Sequence, residues 1–423
     1  MEAAPEPLPE AAVVTVAATH AEAEAFVARL ARELHRFGSP AHRLEEAMHR
    51  IANKLGLAGE FFCTPTAIFA SFRPLADDRR NEPPHTVLLR LEPGEVNLEK
   101  LSLLDAILLR VLHDLLDLDT AANEIEAIAR KAPRYGRLLT VLAFAGSSAA
   151  TARLFGGGLS EAAAAAAIGL AIGLLAQLIE SRPATGRVFE ALAAAIAAFA
   201  AGAATTWAET SFFVVTVSAL IVLMPGLTLT TAVAELAMRH LASGSARLAG
   251  VLLVFMAMAV GFALGSRCSE LAFGVLPPHY PPPQANWSEL LALLISAGSL
   301  LVLFRARPRD LPLFLGAATL ALLASRLGAN LLGAQLGALV GAVAVGVASN
   351  LYARHFNRPS ALVQLPGLMV LVPGSLGFRS VAALLEQDTL AGVQSAFTVI
   401  LVAISLAMGL LIASAIVPPR RVF

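Results

Sequence analysis

Residues 223–250 read LMPGLTLTTAVAELAMRHLASGSARLAG, and residues 365–385 read LPGLMVLVPGSLGFRSVAALL. Each is an apolar, helix-forming stretch interrupted by Pro-Gly. A shift of 148 residues lays Pro225-Gly226 on Pro373-Gly374. The same shift lays Val222 and Leu223 on Val370 and Leu371, Leu236 on Leu384, Gly244 on Gly392, Gly261 on Gly409 and Ser266 on Ser414. The apolar segments around the first pair fall on those around the second, five on five. Five is odd, so the second half must lie upside down relative to the first. An inverted repeat with interrupted helices is a signature of secondary transporters that work by alternating access.

Working outward, the apolar segments run over residues 138–154, 160–178, 188–204, 211–238, 246–265, 288–304, 311–325, 330–349, 361–386 and 390–417. A helix crosses a bilayer with about 20 apolar residues. These segments predict an α-helical polytopic membrane protein with ten transmembrane helices as a 5+5 inverted repeat. Composition agrees: 57% of the 423 residues are hydrophobic, 15% are charged, and mean hydropathy is +0.70. A soluble domain carries about 25% charged residues. This excludes a disordered chain, a charge-driven nucleic-acid binder and an ordinary cytosolic enzyme. The net charge of zero implies no electrostatic partner. Cys63 and Cys268, the only cysteines, are too few and too far apart for a disulfide framework.

Residues 1–24 are acidic and rich in Pro and Ala and lack the basic start of a secretory signal, which predicts a disordered tail. Residues 25–136 predict a cytosolic α+β domain. A first helix ends at Gly38 and a second, capped by Ser39, ends at Gly56. One strand follows over Phe61–Phe72 and another over His85–Leu91. Asn97 then caps a helix to about Leu118, and Thr120 caps another to Lys131. The membrane repeats occupy 137–266 and 288–418, with an outer linker at 267–287 and a cytosolic tail at 419–423. Loop arginines set the orientation. On the side of the N-terminal domain lie Arg182, Arg187, Arg239, Arg247, Arg305, Arg307, Arg309, Arg354, Arg358, Arg420 and Arg421. The opposite loops hold Arg153, Arg267 and Arg326. By the positive-inside rule both termini are cytoplasmic, in a multi-pass protein of the cell (inner) membrane.

The two breaks are the expected substrate site. Proline removes a backbone donor and glycine frees the chain, so each break leaves polar backbone that lipid does not tolerate. Helix ends meeting at mid-membrane offer amides to a carboxylate and carbonyls to an ammonium, which suits a zwitterion. Pro225, Gly226, Pro373 and Gly374 form the breaks. Thr228 and Ser375 follow them; a hydroxyl there either bonds its own backbone or binds a substrate. Gln335 and Asn350, near the ends of the eighth segment, are interhelical glue or pathway. Arg379 either snorkels or receives a carboxylate. Glu235, ten residues after Pro225, is the candidate proton carrier or an interfacial acid.

The two segments quoted first resemble the paired signatures of the threonine/serine exporter family. FVARLARELHRFGSPAHRLEEAMHRIANKLGL and FFCTPTAIFASF resemble its cytosolic domain, and HDLLDLDTAANEIEAIARKAPRY followed by LFGGG resembles its approach to the first span. The resemblance covers residues 25 to 418. It implies a cytosolic domain with ten spans and export of threonine and serine driven by the proton gradient. Some relatives are split into one protein per half and are linked to dicarboxylate export, so a succinate-like substrate is the alternative. The acid after the first Pro-Gly is usually Asp in that family and is Glu235 here.

Other chemistry finds no support in the residues. His35, His42 and His49 recur every seven residues, but the first pair straddles Gly38 and further metal ligands are missing. No GxxxxGK[ST] motif occurs, so ATP does not drive transport directly. No cofactor, metal or nucleic acid is expected, and the chain does not read as an enzyme. The expected partners are threonine or serine, protons, the lipid bilayer and a second copy of the chain in a homo-oligomer. The reading from another class is a membrane sensor or scaffold acting through its cytosolic domain.

Overall fold

The computed structural model describes residues 19–75, 83–179, 188–275, 279, 281, 287–371, 374–385 and 389–419. Its first layer is built from α1 (His20–Arg36), α2 (Ala41–Lys54), the strands β1 (Leu57–Thr64), β2 (Ala67–Pro74) and β3 (His85–Arg90), then α3 (Leu98–Leu112) and α4 (Leu118–Arg130). Phe26, Val27, Leu30 and Leu34 recur on one face of α1 and are buried, the spacing of an amphipathic helix. The helix begins at His20, inside the stretch read as a tail. Thr19 and Glu22 form a reciprocal cap there, with Thr19 N donating to Glu22 Oε2 at 2.8 Å and Glu22 N to Thr19 Oγ1 at 3.3 Å. Residues 1–18 lie outside the described residues.

Three local expectations are corrected. Ser39 does not cap α2; the residue before the helix is Pro40, whose side chain makes no cap bond. Phe61–Phe72 is a hairpin rather than one strand. Thr64 pairs with Ala67 across Pro65-Thr66, because proline fixes the turn and cannot donate to a ladder. Asp117, not Thr120, caps α4: Thr120 N donates to Asp117 Oδ1 at 2.9 Å. The sheet is antiparallel in the order β1-β2-β3.

The apolar part follows as α5 (Arg137–Leu154), α6 (Leu159–Ile179), α7 (Phe189–Trp207), α8 (Phe212–Ala219), α9 (Gly226–Ala237), α10 (Leu241–Phe273), α11 (Trp287–Leu303), α12 (Leu311–Leu332), α13 (Ala334–Phe356), α14 (Ala361–Leu371), α15 (Gly374–Leu385) and α16 (Thr389–Ile416). Among the described residues seven helical stretches are long and apolar enough to cross a membrane, and Gly226–Ala237 and Trp287–Leu303 are shorter apolar helices. Their outward faces are apolar: Leu253, Met256, Val260 and Leu264 along α10 are each more than half exposed. Water would not tolerate such a stripe, and a bilayer solvates it. The segment expected at 246–265 is longer, 33 residues. It runs into the stretch assigned to the outer linker and stops at Gly274, whose φ of +81° suits glycine.

Helices approach closely at glycines. A Cβ on Gly261 would stand 2.0 Å from the carbonyl oxygen of Ala191, and one on Gly409 would stand 2.8 Å from that of Leu339. The first contact recurs as the second after 148 residues, since Gly261 maps to Gly409 and Ala191 to Leu339. A second related pair behaves alike. Gly244 packs on Ala232, and Ser380 Oγ, at the shifted position of Ala232, donates to Gly392 O at 2.7 Å.

The two layers share one core. The apolar interior of the N-terminal layer continues into Ala297, Leu300, Leu301, Ala306, Phe314 and Leu362 of the membrane helices and their connections. Polar ties flank this seam. Leu98 N donates to Phe304 O at 3.0 Å and Tyr135 Oη to Ala306 O at 2.6 Å. Arg305 pairs with Glu95 at 2.8 Å. Glu99 bonds Arg134 and Lys131, and the Arg134 hydrogen bond is the largest cause holding its carboxyl at about 2.

Candidate functional site

The break between α8 and α9 is local chemistry made visible. After Ala219 the chain turns through residues 220–225, and Pro225 (φ −79°, ψ 40°) precedes the first residue of α9. The shifted motif is described from Gly374 onward, in α15; Pro373 and the residue before it lie outside the described residues. Gly374 approaches the first break. A Cβ on Gly374 would stand 3.2 Å from Met224 Cβ and 3.6 Å from Gly226 Cα. Glycine at both positions permits this close approach.

A cavity of about 220 Å³ opens beside the first turns of α9. Leu227, Thr228, Thr230, Thr231 and Ala234 of α9 form one wall, and Leu365, Leu368, Leu410 and Ser414 of α14 and α16 form another. The third comes from the N-terminal layer: Ser39, Pro40, His42 and Arg43 at the start of α2, with Gly94 and Val96. The volume lies below the roughly 300–1,000 Å³ of pockets for drug-sized ligands, so it matches a smaller solute.

Glu235 sits next to this cavity and is fully buried. Its Oε1 accepts from Ala41 N of α2 at 3.0 Å; its Oε2 accepts from Ser243 Oγ at 2.7 Å and Arg247 Nε at 3.0 Å. A membrane-helix carboxylate thus supplies the cap that Pro40 cannot supply to α2. His240 Nδ1 lies 3.4 Å from Glu45 Oε2, and Glu45 Oε1 accepts from Cys63 N at 2.8 Å. Burial, and next Glu45, push the Cys63 thiol up, so it is a poor nucleophile. His42 is pushed down to about 3, by burial first and then by Arg43, His240 and Arg247. It is therefore neutral at pH 7.

The expected site residues separate into groups. Gly374 comes against Gly226, next to Pro225, at the first break. Thr228 lines the cavity and is exposed to it. Ser375, in the first turn of α15, does not line the cavity. Asn350 is buried, and its Nδ2 donates to Val417 O at 2.8 Å, a tie between α13 and the end of α16. Gln335 is exposed in the first turn of α13. Arg379 is exposed and stacks over the Phe213 ring at 5.5 Å, a cation–π contact away from the cavity. Gln335, Asn350, Ser375 and Arg379 are therefore not brought to one place with Thr228. His35, His42 and His49 also disperse. His35 Nε2 bonds Pro65 O at 3.0 Å, His42 lines the cavity, and His49 packs on Phe61. Among the described residues no cluster of three His, Cys, Asp or Glu is arranged to hold a metal.

Ser39, His42, Arg43 and Gln364 were not singled out for this site from sequence. The one local signal was the Gly38-Ser39-Pro40 turn, which breaks two helices apart and leaves polar residues at the start of the second.

Residues 25–268 match the family described as "Putative threonine/serine exporter", and residues 289–416 match "Threonine/Serine exporter, ThrE". Among curated proteins the chain is 29% identical over 388 residues to "Pheromone-regulated membrane protein 10" of Debaryomyces hansenii, covering 88% of this chain and 37% of that protein. It is 26% identical over 385 residues to the protein of that name in Saccharomyces cerevisiae (89% and 48%) and 27% over 395 in Yarrowia lipolytica (89% and 32%). The chain thus spans between 32% and 48% of the length of these relatives. No solved structure matches it.

Proposed function

The chain belongs to the threonine/serine exporter family, and on that premise we propose that it is a secondary active exporter of small hydroxy amino acids, threonine or serine. A membrane transporter of this kind takes a small-molecule substrate across the bilayer and is not an enzyme. The observation that carries the substrate path is the approach of Gly374 to the break at Met224–Gly226, beside a small, partly polar cavity. The start of α9 there offers unbonded amides where a carboxylate passes.

Alternating access follows from the repeat. The recurrence of the Gly261–Ala191 contact as Gly409–Leu339 supports two halves of one architecture, five helical segments each. Rocking of one half against the other exposes the cavity first to the cytoplasm and then outside. Protons drive the cycle through Glu235. In the closed arrangement the carboxylate holds Ala41, Ser243 and Arg247; a proton on it removes the charge that Arg247 answers and loosens α2 from the membrane helices. Both termini face the cytoplasm, the location is the cell (inner) membrane, and residues 25–136 are the cytosolic domain. Homo-oligomerisation belongs to the same reading.

Counterflow in proteoliposomes tests it. Purified full-length protein is reconstituted with threonine, serine or succinate inside, with and without a pH step. Threonine or serine movement that grows with the pH step, and falls in Pro225→Ala and Glu235→Gln, is the expected result. Movement of succinate alone replaces the substrate class, and transport of none of the three refutes the exporter reading.

A further inference from the structure

Arg43 stands in the cavity wall with more donors than it uses. Its Nη1 donates to Ser360 Oγ at 2.6 Å and its Nη2 to Gln364 Oε1 at 3.1 Å, both neutral oxygens of or beside α14. Burial bears on it most, and Glu46 and Asp105 attract it by their charge. A guanidinium has five N–H donors and keeps its charge in proteins. The other cation of the wall, Arg247, is already matched by Glu235.

Two neighbours of Arg43 are orphaned. Ser39 is 4% exposed, and its Oγ, like His42 Nδ1, is a buried polar atom with no hydrogen-bond partner among the described residues. Leaving such an atom unpaired costs about 1–3 kcal/mol. The two orphans lie three residues apart, one just before α2 and one in its first turn, and both residues line the cavity. The opposite wall adds Thr228, while Thr230 and Thr231 donate to their own helix, to Gly226 O and Leu227 O. Val96, Leu101, Leu227, Leu365 and Leu368 make the rest apolar.

We propose that the first turn of α2, in the N-terminal layer, carries the recognition site for the exported amino acid: Arg43 binds its carboxylate, Ser39 and His42 its ammonium, and Thr228 faces its side-chain hydroxyl. The inference rests on the exporter reading and sharpens it. The wall offers one guanidinium that hydrogen-bonds neutral oxygens. A second carboxylate would have to displace Glu235 from Arg247, so the site selects a zwitterion over a dicarboxylate. A neutral imidazole presents a lone pair to the ammonium instead of repelling it. The N-terminal layer is on this account part of the transport path, because a substrate cannot be bound without it.

The test is equilibrium binding to purified full-length protein at pH 7, with L-threonine, L-threoninol and succinate as probes, alongside counterflow of threonine. Threoninol keeps the ammonium and hydroxyl and lacks the carboxylate. The wild type is expected to bind threonine more tightly than threoninol or succinate. Arg43→Gln should weaken threonine binding roughly ten- to hundred-fold and leave threoninol binding unchanged, a split that a merely structural role of Arg43 would not produce. Ser39→Ala removes an unpaired hydroxyl, so its unfolding midpoint should hold or rise while threonine affinity falls roughly five-fold or more. Threonine binding at wild-type strength in both variants overturns the site. So does an equal loss of threonine and threoninol binding in Arg43→Gln, or a wild type that prefers succinate. If wild-type counterflow of threonine persists while both variants bind normally, the site fails and the exporter reading stands. Failure of the wild type both to bind and to move threonine or serine refutes both.

Discussion

At the scale of single residues, Glu235 joins two layers that the chain order keeps 194 residues apart. Removing one partner of a buried ion pair leaves the other unanswered, at a cost of about 3–5 kcal/mol. Glu235→Ala should therefore destabilise the protein by about 3 kcal/mol, read by chemical unfolding in detergent. Hydrogen exchange at the Ala41 amide should speed up in the same variant, because its acceptor is gone. His42 gives a pH prediction with a definite sign. Its value in the folded protein, about 3, lies below the ordinary 6.5. Between those values the unfolded chain binds a proton that the folded chain does not. Stability is thus full above pH 6.5 and falls as pH drops toward 3. In His42→Asn the loss between pH 7 and pH 5 should be smaller, as measured by the unfolding midpoint at each pH.

At the scale of elements, the membrane helices are held by backbone proximity rather than by large side chains. In lipid, close packing replaces the hydrophobic effect between helices, and glycine is what lets two backbones meet. Gly261→Ala would place a methyl 2.0 Å from the Ala191 carbonyl and must push α7 and α10 apart. It should cost about 1–3 kcal/mol. Gly409→Ala, at 2.8 Å from Leu339 O, should cost less. Gly298 on α11 has nothing within 4 Å of an added Cβ, so Gly298→Ala should be neutral or stabilising. Comparing the three unfolding midpoints checks the order. A similar cost in all three variants would contradict the packing account.

At the scale of the whole molecule, the N-terminal layer and the membrane helices share one apolar seam. Deleting residues 1–136 would strip Ser39, His42 and Arg43 from the cavity and bare Leu300, Leu301 and Phe314. Such a truncated protein should aggregate in detergent unless the layer is supplied in trans, and it should lose threonine counterflow even where it inserts. Size-exclusion profiles and transport of the truncated and full chains decide this. Full transport by the truncated protein would show that the layer is an appendage.

The sequence determined the helical segments and the places where they break. A long run of apolar residues favours a helix able to cross a membrane, and Pro-Gly weakens a helix by its covalent geometry, although Pro366-Gly367 is accommodated inside α14. At the first motif the break is made, and α9 starts at Gly226. Thr228, three residues past the first break, was legible for the same reason. The cavity was not legible. Ser39 read as a helix cap and Arg43 was not singled out, because nothing in residues 38–43 shows that α2 abuts α9 and α14. Gln335, Asn350 and Arg379 are polar residues in apolar segments, yet they face a solvent edge, a backbone carbonyl and a phenyl ring. Period and composition tell which side of a helix is polar; they do not tell what stands opposite. That was decided by the tertiary structure, where a shared apolar seam brings the start of α2 against the membrane helices and leaves Glu235 as the acceptor for a helix that proline left uncapped.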